Sequence, residues 1–322
     1  MRRVESIRLN RLAVTFVIPA ALGLLWGAAG TAAAADAPGD QTLFGSPEEA
    51  VKALMKATEA KDKDALRQLF GPKVKDLKSG DDVQDARSFE SFARRLAKAS
   101  RLEREGEDTA ILHVGVEDYP FPVPLVKEGD KWFFDTEAGL DEILSRRIGE
   151  NEIGAIRVCR GYVAAQREYA AEDRDGDGVA EYAQRLASTP GKQDGLFWAT
   201  KPDEPPSPLG PLVADARAEG YGQKDAKAAG GPRPYRGYVY RIITRQGKKA
   251  AGGQFDYVIN GHMVAGFALV AYPIEWGSSG IMTFVVNSNG KVFQKNLGEK
   301  TAEVAAAMDT YDPDDSWVLQ KD

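Results

Sequence analysis

The strongest constraint on this sequence is a helical segment in the middle of the chain, from Ala138 to about Glu172. Apolar and small side chains recur along one stripe of it at helical spacing. The stripe contains Ile148, Ile156, Cys159, Tyr162, Val163, Gln166 and Tyr169. Gly149 and Gly154 leave open a division into two helices. Because β-rich stretches lie on both sides of this segment, the pattern predicts an α+β fold.

The preceding residues predict a small α+β domain over 36–137. Ser46 is a suitable N-cap before Pro47, and Glu49 completes a capping box for the first helix. A second short helix is predicted to end at Gly71-Pro72, and "SFESFARRLAKA" predicts another helical turn or two. "TAILHVGV" and "FPVPLVKEGDKWFFDT" then have the composition of strands, joined in part by a tight turn at Glu128-Gly129-Asp130.

The residues after the helix belong to a second predicted α+β domain, over 138–322. "EYAQRLAS" is expected to continue the helix briefly, and residues 199–236 form a Pro/Gly-rich excursion with one short helix, "PLVADARAEG". Strands are predicted at "RGYVYRIIT", "VAGFALVAYP" and "GIMTFVVN", the last joined by a turn to "KVFQKN" as a hairpin. A short helix is predicted near Glu299–Met308.

The N-terminus has the pattern of a secretory signal peptide, residues 1–35. A basic stretch precedes the apolar run "LAVTFVIPAALGLLWGAAG", and "TAAAAD" offers a cleavage site after Ala35. An uncleaved membrane anchor is the alternative, and Pro19 within the run weakens it. Cleavage removes four arginines and one glutamate, which moves the formal net charge from −6 to about −9.

We therefore expect a periplasmic or secreted protein without a transmembrane span after cleavage. Its acidity argues against nucleic acid as a partner, because nucleic-acid binding requires basic surfaces.

Cysteine and histidine are scarce. Cys159 is the only cysteine and is expected to be an inert core side chain on the helical stripe. The two histidines, His113 and His262, are too few for a usual zinc site and argue against a Ser-His-Asp triad. Ser278 or Ser279 in "WGSSG" would need His262 as its base, and the sequence offers no evident carboxylate to orient that histidine. No catalytic residue is assigned.

One acidic stretch, "AEDRDGDGVAEYAQ", predicts a calcium loop over residues 173–184. Asp173, Asp175 and Asp177 take positions one, three and five, and Gly178 takes position six, where such a loop turns sharply. The predicted ligands of Ca²⁺ are Asp173, Asp175, Asp177, the carbonyl of Val179, and Glu181. Gln184 stands at position twelve in place of the bidentate glutamate, so a further ligand is needed, and Asp194 is one suggestion.

The alternative for this stretch is an Asp/Gly turn that ends a helix, with Gly176 and Gly178 as C-cap residues. The acidic side chains favour the calcium loop, because they repel one another and oppose the negative end of the helix dipole unless a cation neutralises them.

Longer segments of the sequence resemble three known protein families. The two helices followed by a bent sheet ending in "WFFD" resemble NTF2-like domains, whose cones often enclose an apolar pocket. "AIRVCRGYVAAQREYAAEDRDGDG" followed by "GFALVAYPIEWGSSGIMTFVVNSNGKVFQ" resembles the helix and sheet of type IV pilin-like heads. Nearly the whole mature chain, through "FDTEAG", "EILSRRIGENE", "DGDGV", "YAQRLAS", "GKQDGLFW" and "WGSSGIMTFVVN", resembles the secreted bacterial family catalogued as domain of unknown function 2950.

That last resemblance implies export and a fold but no reaction. Pilins begin with a uniformly apolar helix that anchors and polymerises, whereas the helix here is polar and internal. We therefore expect an exported, non-catalytic envelope protein that acts in binding or assembly with another envelope protein or a cell-envelope polymer. The alternative is a hydrolase acting on cell-wall or glycan material.

Overall fold

The computed structural model describes residues 41–174, 176–201, 203–222 and 233–321, and the predicted signal peptide lies outside them. The fold is α+β, as predicted. The helices are α1 Pro47–Glu59, α2 Lys63–Phe70, the 3₁₀ helix Pro72–Leu77, α3 Asp82–Lys98, α4 Thr136–Tyr169, α5 Gly210–Ala218 and α6 Thr301–Ala306.

The strands before α4 are β1 Ser100–Arg104, β2 Thr109–Val114, β3 Tyr119–Pro120, β4 Leu125–Glu128 and β5 Lys131–Phe134. Those after it are β6 Tyr238–Ile243, β7 Arg245–Gln246, β8 Phe255–Asp256, β9 Val258–Ile259, β10 His262–Met263, β11 Ala268–Pro273, β12 Met282–Asn287, β13 Val292–Asn296 and β14 Val318–Leu319.

The N-terminal helices pack on an antiparallel sheet of order β1-β2-β4-β5, with β3 paired to β2. The hairpin predicted at residues 128–130 joins β4 to β5, and Ser46 caps α1 by accepting the N–H of Glu49 at 3.2 Å. These elements bury a group that we call the N-terminal cluster. It contains Ala50, Val51, Leu54, Ala57, Leu69, Phe70, Leu96, Ala110, Leu112, Val114, Val123, Leu125, Trp132 and Phe134.

Helix α4 is continuous over 34 residues, so neither Gly149 nor Gly154 divides it. Asp135 caps its N-terminus by accepting the N–H of Ala138 at 3.0 Å. Both glycines stay helical, because the hydrogen bonds and packing of a long helix outweigh the roughly 1 kcal/mol by which each glycine disfavours it. The helix packs against the N-terminal cluster through Ile143 and continues into the second hydrophobic core.

The second core surrounds the antiparallel sheet β14-β13-β12-β11-β6, against which α4 and α6 pack. Its buried residues run from Ala155 to Tyr311, and we call them the C-terminal cluster. The predicted hairpin joins β12 to β13. The hydroxyl of Tyr162 on α4 donates to the carbonyl of Ala268 on β11 at 3.2 Å, and Arg241 on β6 donates to the carbonyl of Ala305 on α6 at 3.0 Å.

The expected helical continuation over "EYAQRLAS" is wrong. Tyr182 forms an isolated bridge with Met263, and Ala187 forms one with Phe197, so this stretch is irregular instead of helical. The side chain of Gln166 also binds both backbone groups of Ala183, each at 2.8 Å. The backbone groups of this stretch therefore form hydrogen bonds with residues outside it instead of with one another in helical turns.

Residues Ala37–Asp322 form one compact unit that contains both clusters. The predicted division into domains 36–137 and 138–322 stays a prediction. Within the part of the chain that the structure describes, no helix has the length and apolarity needed to cross a bilayer.

Candidate functional site

The acidic loop begins where α4 ends, and Arg174 covers that helix end. Its guanidinium donates to the carbonyls of Glu168 and Tyr169 at 3.4 and 3.3 Å. It also lies over the rings of Tyr169 and Trp198, 5.8 and 5.5 Å from their centroids. A cation at this position complements the negative end of the helix dipole. Arg174 therefore neutralises part of the negative charge at this helix end without a bound cation.

The first turn of the loop is organised by Asp173. Its two carboxylate oxygens accept the N–H groups of Gly176 and Gly178, each at 2.8 Å. Both glycines have left-handed backbones, with φ of 79° and 90°, which side chains disfavour. Asp177 then accepts the N–H of Val179 at 2.8 Å through Oδ1, which leaves its Oδ2 directed elsewhere.

The second half of the loop is fixed to the hairpin formed by β9 and β10. Glu181 Oε2 accepts the N–H of Met263 at 2.8 Å, and the N–H of Tyr182 donates to the carbonyl of Met263 at 2.8 Å. Gln184, at position twelve of the loop, donates to the carbonyl of Gly261 at 2.6 Å. The loop is therefore docked on residues that come much later in the chain.

This docking brings three potential metal ligands together. His262 Nδ1 lies 3.2 Å from Asp177 Oδ2 and 3.7 Å from Glu181 Oε2. One ligand atom from each residue lies within 4.8 Å of the other two. Asp177 is exposed, whereas Glu181 and His262 are half-buried. Nδ1 can donate a proton to Asp177 or, when deprotonated, offer its lone pair to a cation, but not both.

Only some of the predicted Ca²⁺ ligands therefore lie close together. Asp177 and Glu181 converge, whereas the oxygens of Asp173 accept hydrogen bonds from the loop's own N–H groups. The N–H of Val179 binds Asp177, and no contact of its carbonyl with the cluster is seen among the described residues. Asp175 lies outside the described residues.

The suggested additional ligand, Asp194, is used elsewhere. Its Oδ1 and Oδ2 accept the N–H and the hydroxyl of Thr189, each at 2.7 Å, and Oδ2 lies 3.6 Å from Arg185. The hydrogen bonds from Thr189 lower the pKa of this carboxyl below its usual value. Asp194 therefore closes its own turn instead of reaching the acidic loop.

Sequence reasoning missed the placement of His262 beside the acidic loop. The only local signal is that His262 follows Asn260 and Gly261, a pair typical of hairpin turns. That signal predicts a hairpin, but nothing in the sequence states which loop the hairpin meets.

The serines considered as nucleophiles are not placed beside this histidine. Ser278 donates its hydroxyl to the carbonyl of Lys78 at 2.8 Å, and Ser279 donates to the carbonyl of Glu275 at 3.0 Å. His262 faces Asp177 and Glu181 instead. Cys159 is fully buried, and this burial raises the pKa of its thiol to about 12. None of the three offers an activated nucleophile.

Comparison with known proteins gives the family but no function. No curated protein and no solved structure matches this sequence, so the NTF2-like and pilin-like resemblances stay predictions. A family model described as "Protein of unknown function (DUF2950)" matches residues 41–319. This match covers nearly all the described chain, both hydrophobic clusters and the acidic loop, and the protein therefore belongs to the DUF2950 family.

Proposed function

We propose that this protein is an exported, non-catalytic envelope component that acts in binding or assembly, and that a calcium ion stabilises its acidic loop. The observation that carries the calcium proposal is the convergence of Asp177 and Glu181 on the β9–β10 hairpin. A cation held there would couple the end of α4 to the β9–β10 hairpin, whose Met263 belongs to the C-terminal cluster. The role proposed for it is structural, because it would bridge the loop and the hairpin.

Calcium suits the loop because it prefers oxygen ligands in flexible arrangements. Asp177 and Glu181 supply carboxylates, and Asp175 and the Val179 carbonyl are the predicted further ligands. With an incomplete ligand set, we expect a dissociation constant of roughly 10⁻⁴–10⁻³ M. A tenfold excess of calcium over that constant stabilises the folded state by roughly 1.4 kcal/mol, which raises the melting temperature by about 3 °C in a protein of this size.

The experiment compares melting in calcium with melting in chelator. Asp177→Asn combined with Glu181→Gln should abolish the calcium-dependent rise. A matched control replaces Glu59 and Asp130, two exposed carboxylates that form no ion pair among the described residues, with Gln and Asn. It should keep the rise. Equal melting curves with and without calcium, together with no calorimetric binding at millimolar calcium, would reject the site.

The nitrogen of His262 favours a second candidate ion, zinc. Imidazole together with carboxylates suits Zn²⁺, whereas Ca²⁺ seldom takes nitrogen ligands. His262→Gln separates the two ions. The substitution should leave a calcium response largely intact, but it should abolish a zinc response that uses Nδ1 as a ligand.

The binding or assembly role rests on the predicted export and on the acidic composition of the mature chain. Its expected partner is another envelope protein or a cell-envelope polymer. Retention of such a partner from a native envelope extract by the purified protein, with no hydrolysis of envelope polymers, would support the role. Turnover of cell-wall or glycan material by the same sample would favour the alternative, a hydrolase.

A further inference from the structure

A polar cavity of about 430 Å³ lies away from the acidic loop, where three chain segments meet. The 3₁₀ helix forms one wall, the start of α3 forms a second, and the turn around Glu275 and Ser278 forms the third. We call it the junction cavity. The charged and polar side chains that matter to its chemistry are Lys75, Lys78, Asp82, Asp85, Glu275 and Ser278.

The walls are held together by hydrogen bonds that leave most of these charges free to act on a ligand. The hydroxyl of Ser278 donates to the carbonyl of Lys78 at 2.8 Å, and Asp85 accepts the N–H of Ser79 at 3.2 Å. Gly80 has φ of 78°, and a Cβ there would lie 3.2 Å from a carboxylate oxygen of Glu275. A side chain at this position would therefore be strained and would crowd that carboxylate.

Apart from Asp76, which lies beside Lys75 on the 3₁₀ helix, the charges of opposite sign stand on different walls. Lys75 and Lys78 are three residues apart at the 3₁₀ helix, so they lie on the same side of it. Asp82 and Asp85 are three residues apart at the start of α3 and share one helix face, and Glu275 adds a carboxylate from the turn. Among the described residues, none of these five side chains has an oppositely charged partner within 4.0 Å.

Arg147 adds a positive charge behind the cavity. Its Nη1 lies 3.3 Å from Ser278 Oγ, and Nη2 donates to the carbonyl of Leu77. Burial lowers the pKa of this guanidinium, while the charges of Asp85 and Glu275 oppose that shift. Arg147 thus offsets part of the negative charge, including that of Asp76, the remaining acidic lining residue. Counting Arg147, three basic groups face four carboxylates, so the cavity is nearly balanced in charge.

A lone cation or anion in such a space is attracted by one wall and repelled by another, whereas a dipolar molecule can satisfy both. We propose that the junction cavity binds a small zwitterion, an amino acid or short peptide, with its ammonium toward Asp82, Asp85 and Glu275 and its carboxylate toward Lys75 and Lys78. The volume lies within the range of roughly 300–1,000 Å³ typical of small-molecule sites. The proposal goes beyond the binding or assembly role and uses no residue of the acidic loop.

The test titrates the full mature protein with alanyl-alanine and follows the backbone amide signals of Gly80 and Ser278 by NMR. N-acetyl-alanyl-alanine lacks the ammonium, and alanyl-alanine amide lacks the carboxylate. Each blocked probe should bind about fivefold more weakly, the contribution of one solvent-exposed ion pair. All binding should weaken at high salt. A titration with L-alanine distinguishes the two kinds of ligand. If L-alanine binds as tightly as alanyl-alanine, the cavity takes free amino acids; if it binds more weakly, the cavity takes peptides.

Two substitutions sharpen the test because each removes a charge whose side chain forms no hydrogen bond among the described residues. Lys78→Gln should remove the advantage of alanyl-alanine over its amide, and Glu275→Gln should remove its advantage over the acetylated probe. Lys52→Gln and Glu59→Gln, at exposed positions on α1, are matched controls and should change nothing.

The proposal is wrong if no amide signal shifts at tens of millimolar probe. It is also wrong if the acetylated peptide binds as tightly as the zwitterion. The same conclusion follows if both cavity variants affect all three peptides alike.

Discussion

The two hydrophobic clusters are built from different kinds of side chain. The N-terminal cluster contains only Ala, Val, Leu, Phe and Trp, and its centre is a group of touching rings, with Phe70 and Phe134 centroids 5.1 Å apart. The C-terminal cluster buries several tyrosines and a thiol. The hydroxyls of Tyr162 and Tyr238 donate to the carbonyls of Ala268 and Met282, at 3.2 and 2.8 Å.

This difference shows two ways of specifying a core. Apolar rings are stabilised by burial in any arrangement that excludes water. A buried hydroxyl or amide must also find a hydrogen-bond partner, or it costs free energy. The C-terminal cluster should therefore depend on a few long-range hydrogen bonds and on pH, whereas the N-terminal cluster should depend mainly on volume.

The largest expected effect comes from removing one buried ring in each cluster. Phe134 and Phe284 are both fully buried, so Phe134→Ala and Phe284→Ala should each lower the free energy of unfolding by about 3–5 kcal/mol. Because α4 contributes to both clusters and residues 37–322 form one unit, we expect one cooperative transition in urea for both variants. Two separate transitions would instead support independent domains over 36–137 and 138–322.

The second effect tests the dependence of the C-terminal cluster on hydrogen bonds. Gln166 is fully buried, and its side chain binds both backbone groups of Ala183 and the hydroxyl of Tyr162. Gln166→Leu keeps a similar volume but leaves both backbone groups of Ala183 unpaired and removes one of the two partners of the Tyr162 hydroxyl. The free energy of unfolding should therefore fall by about 3–4 kcal/mol. Gln193→Leu, at an exposed position, should change it by less than about 0.5 kcal/mol. Similar values for the two variants would contradict this account.

The third effect is a loss of stability at alkaline pH. Burial raises the pKa of Cys159 to about 12 and that of Tyr257 to about 12. A thiol in the unfolded chain ionises near pH 8.5. The stability that Cys159 contributes is therefore fully present below about pH 8.5 and is lost as the pH rises toward 12. At about pH 10.5 the loss from this thiol is roughly 2–3 kcal/mol.

Cys159→Ala provides the measurement. Its free energy of unfolding should decline less steeply between about pH 9 and pH 10.5 than that of the wild type, although cavity formation lowers its value at neutral pH. Parallel declines would show that the thiol does not ionise on unfolding as described. The N-terminal cluster contains neither Cys nor Tyr, so Leu54→Ala should leave the slope unchanged.

The sequence predicts local structure better than long-range contacts. Ser46, Pro47 and Glu49 identify the first helix because capping depends on neighbouring residues. The acidic loop is also identifiable, since its Asp and Gly spacing is local. The meeting of that loop with His262 cannot be predicted in the same way, because it depends on how a distant hairpin packs. The "EYAQRLAS" prediction fails for the same reason: Gln166 and Met263 bind its backbone from outside the stretch.

The smallest effect concerns the part of α4 that joins the two clusters. Gly149 lies between Ile143, which packs on the N-terminal cluster, and Ala155, which belongs to the C-terminal cluster. A Cβ at Gly149 would have no atom within 4 Å, whereas one at Gly139 would lie 2.8 Å from the backbone of Pro122 and Val123. The two glycines therefore differ in whether the surroundings accept a methyl group.

Gly149→Ala should raise the free energy of unfolding by about 0.5–1 kcal/mol, because alanine loses less backbone entropy than glycine when a helix forms. Gly139→Ala should lower it by about 1–3 kcal/mol, since backbone atoms must move to admit the methyl group. Urea unfolding of both variants against the wild type gives the comparison. A loss of stability in Gly149→Ala would mean that α4 bends at this position in solution, and the two clusters would then be joined by a hinge rather than by one rigid helix.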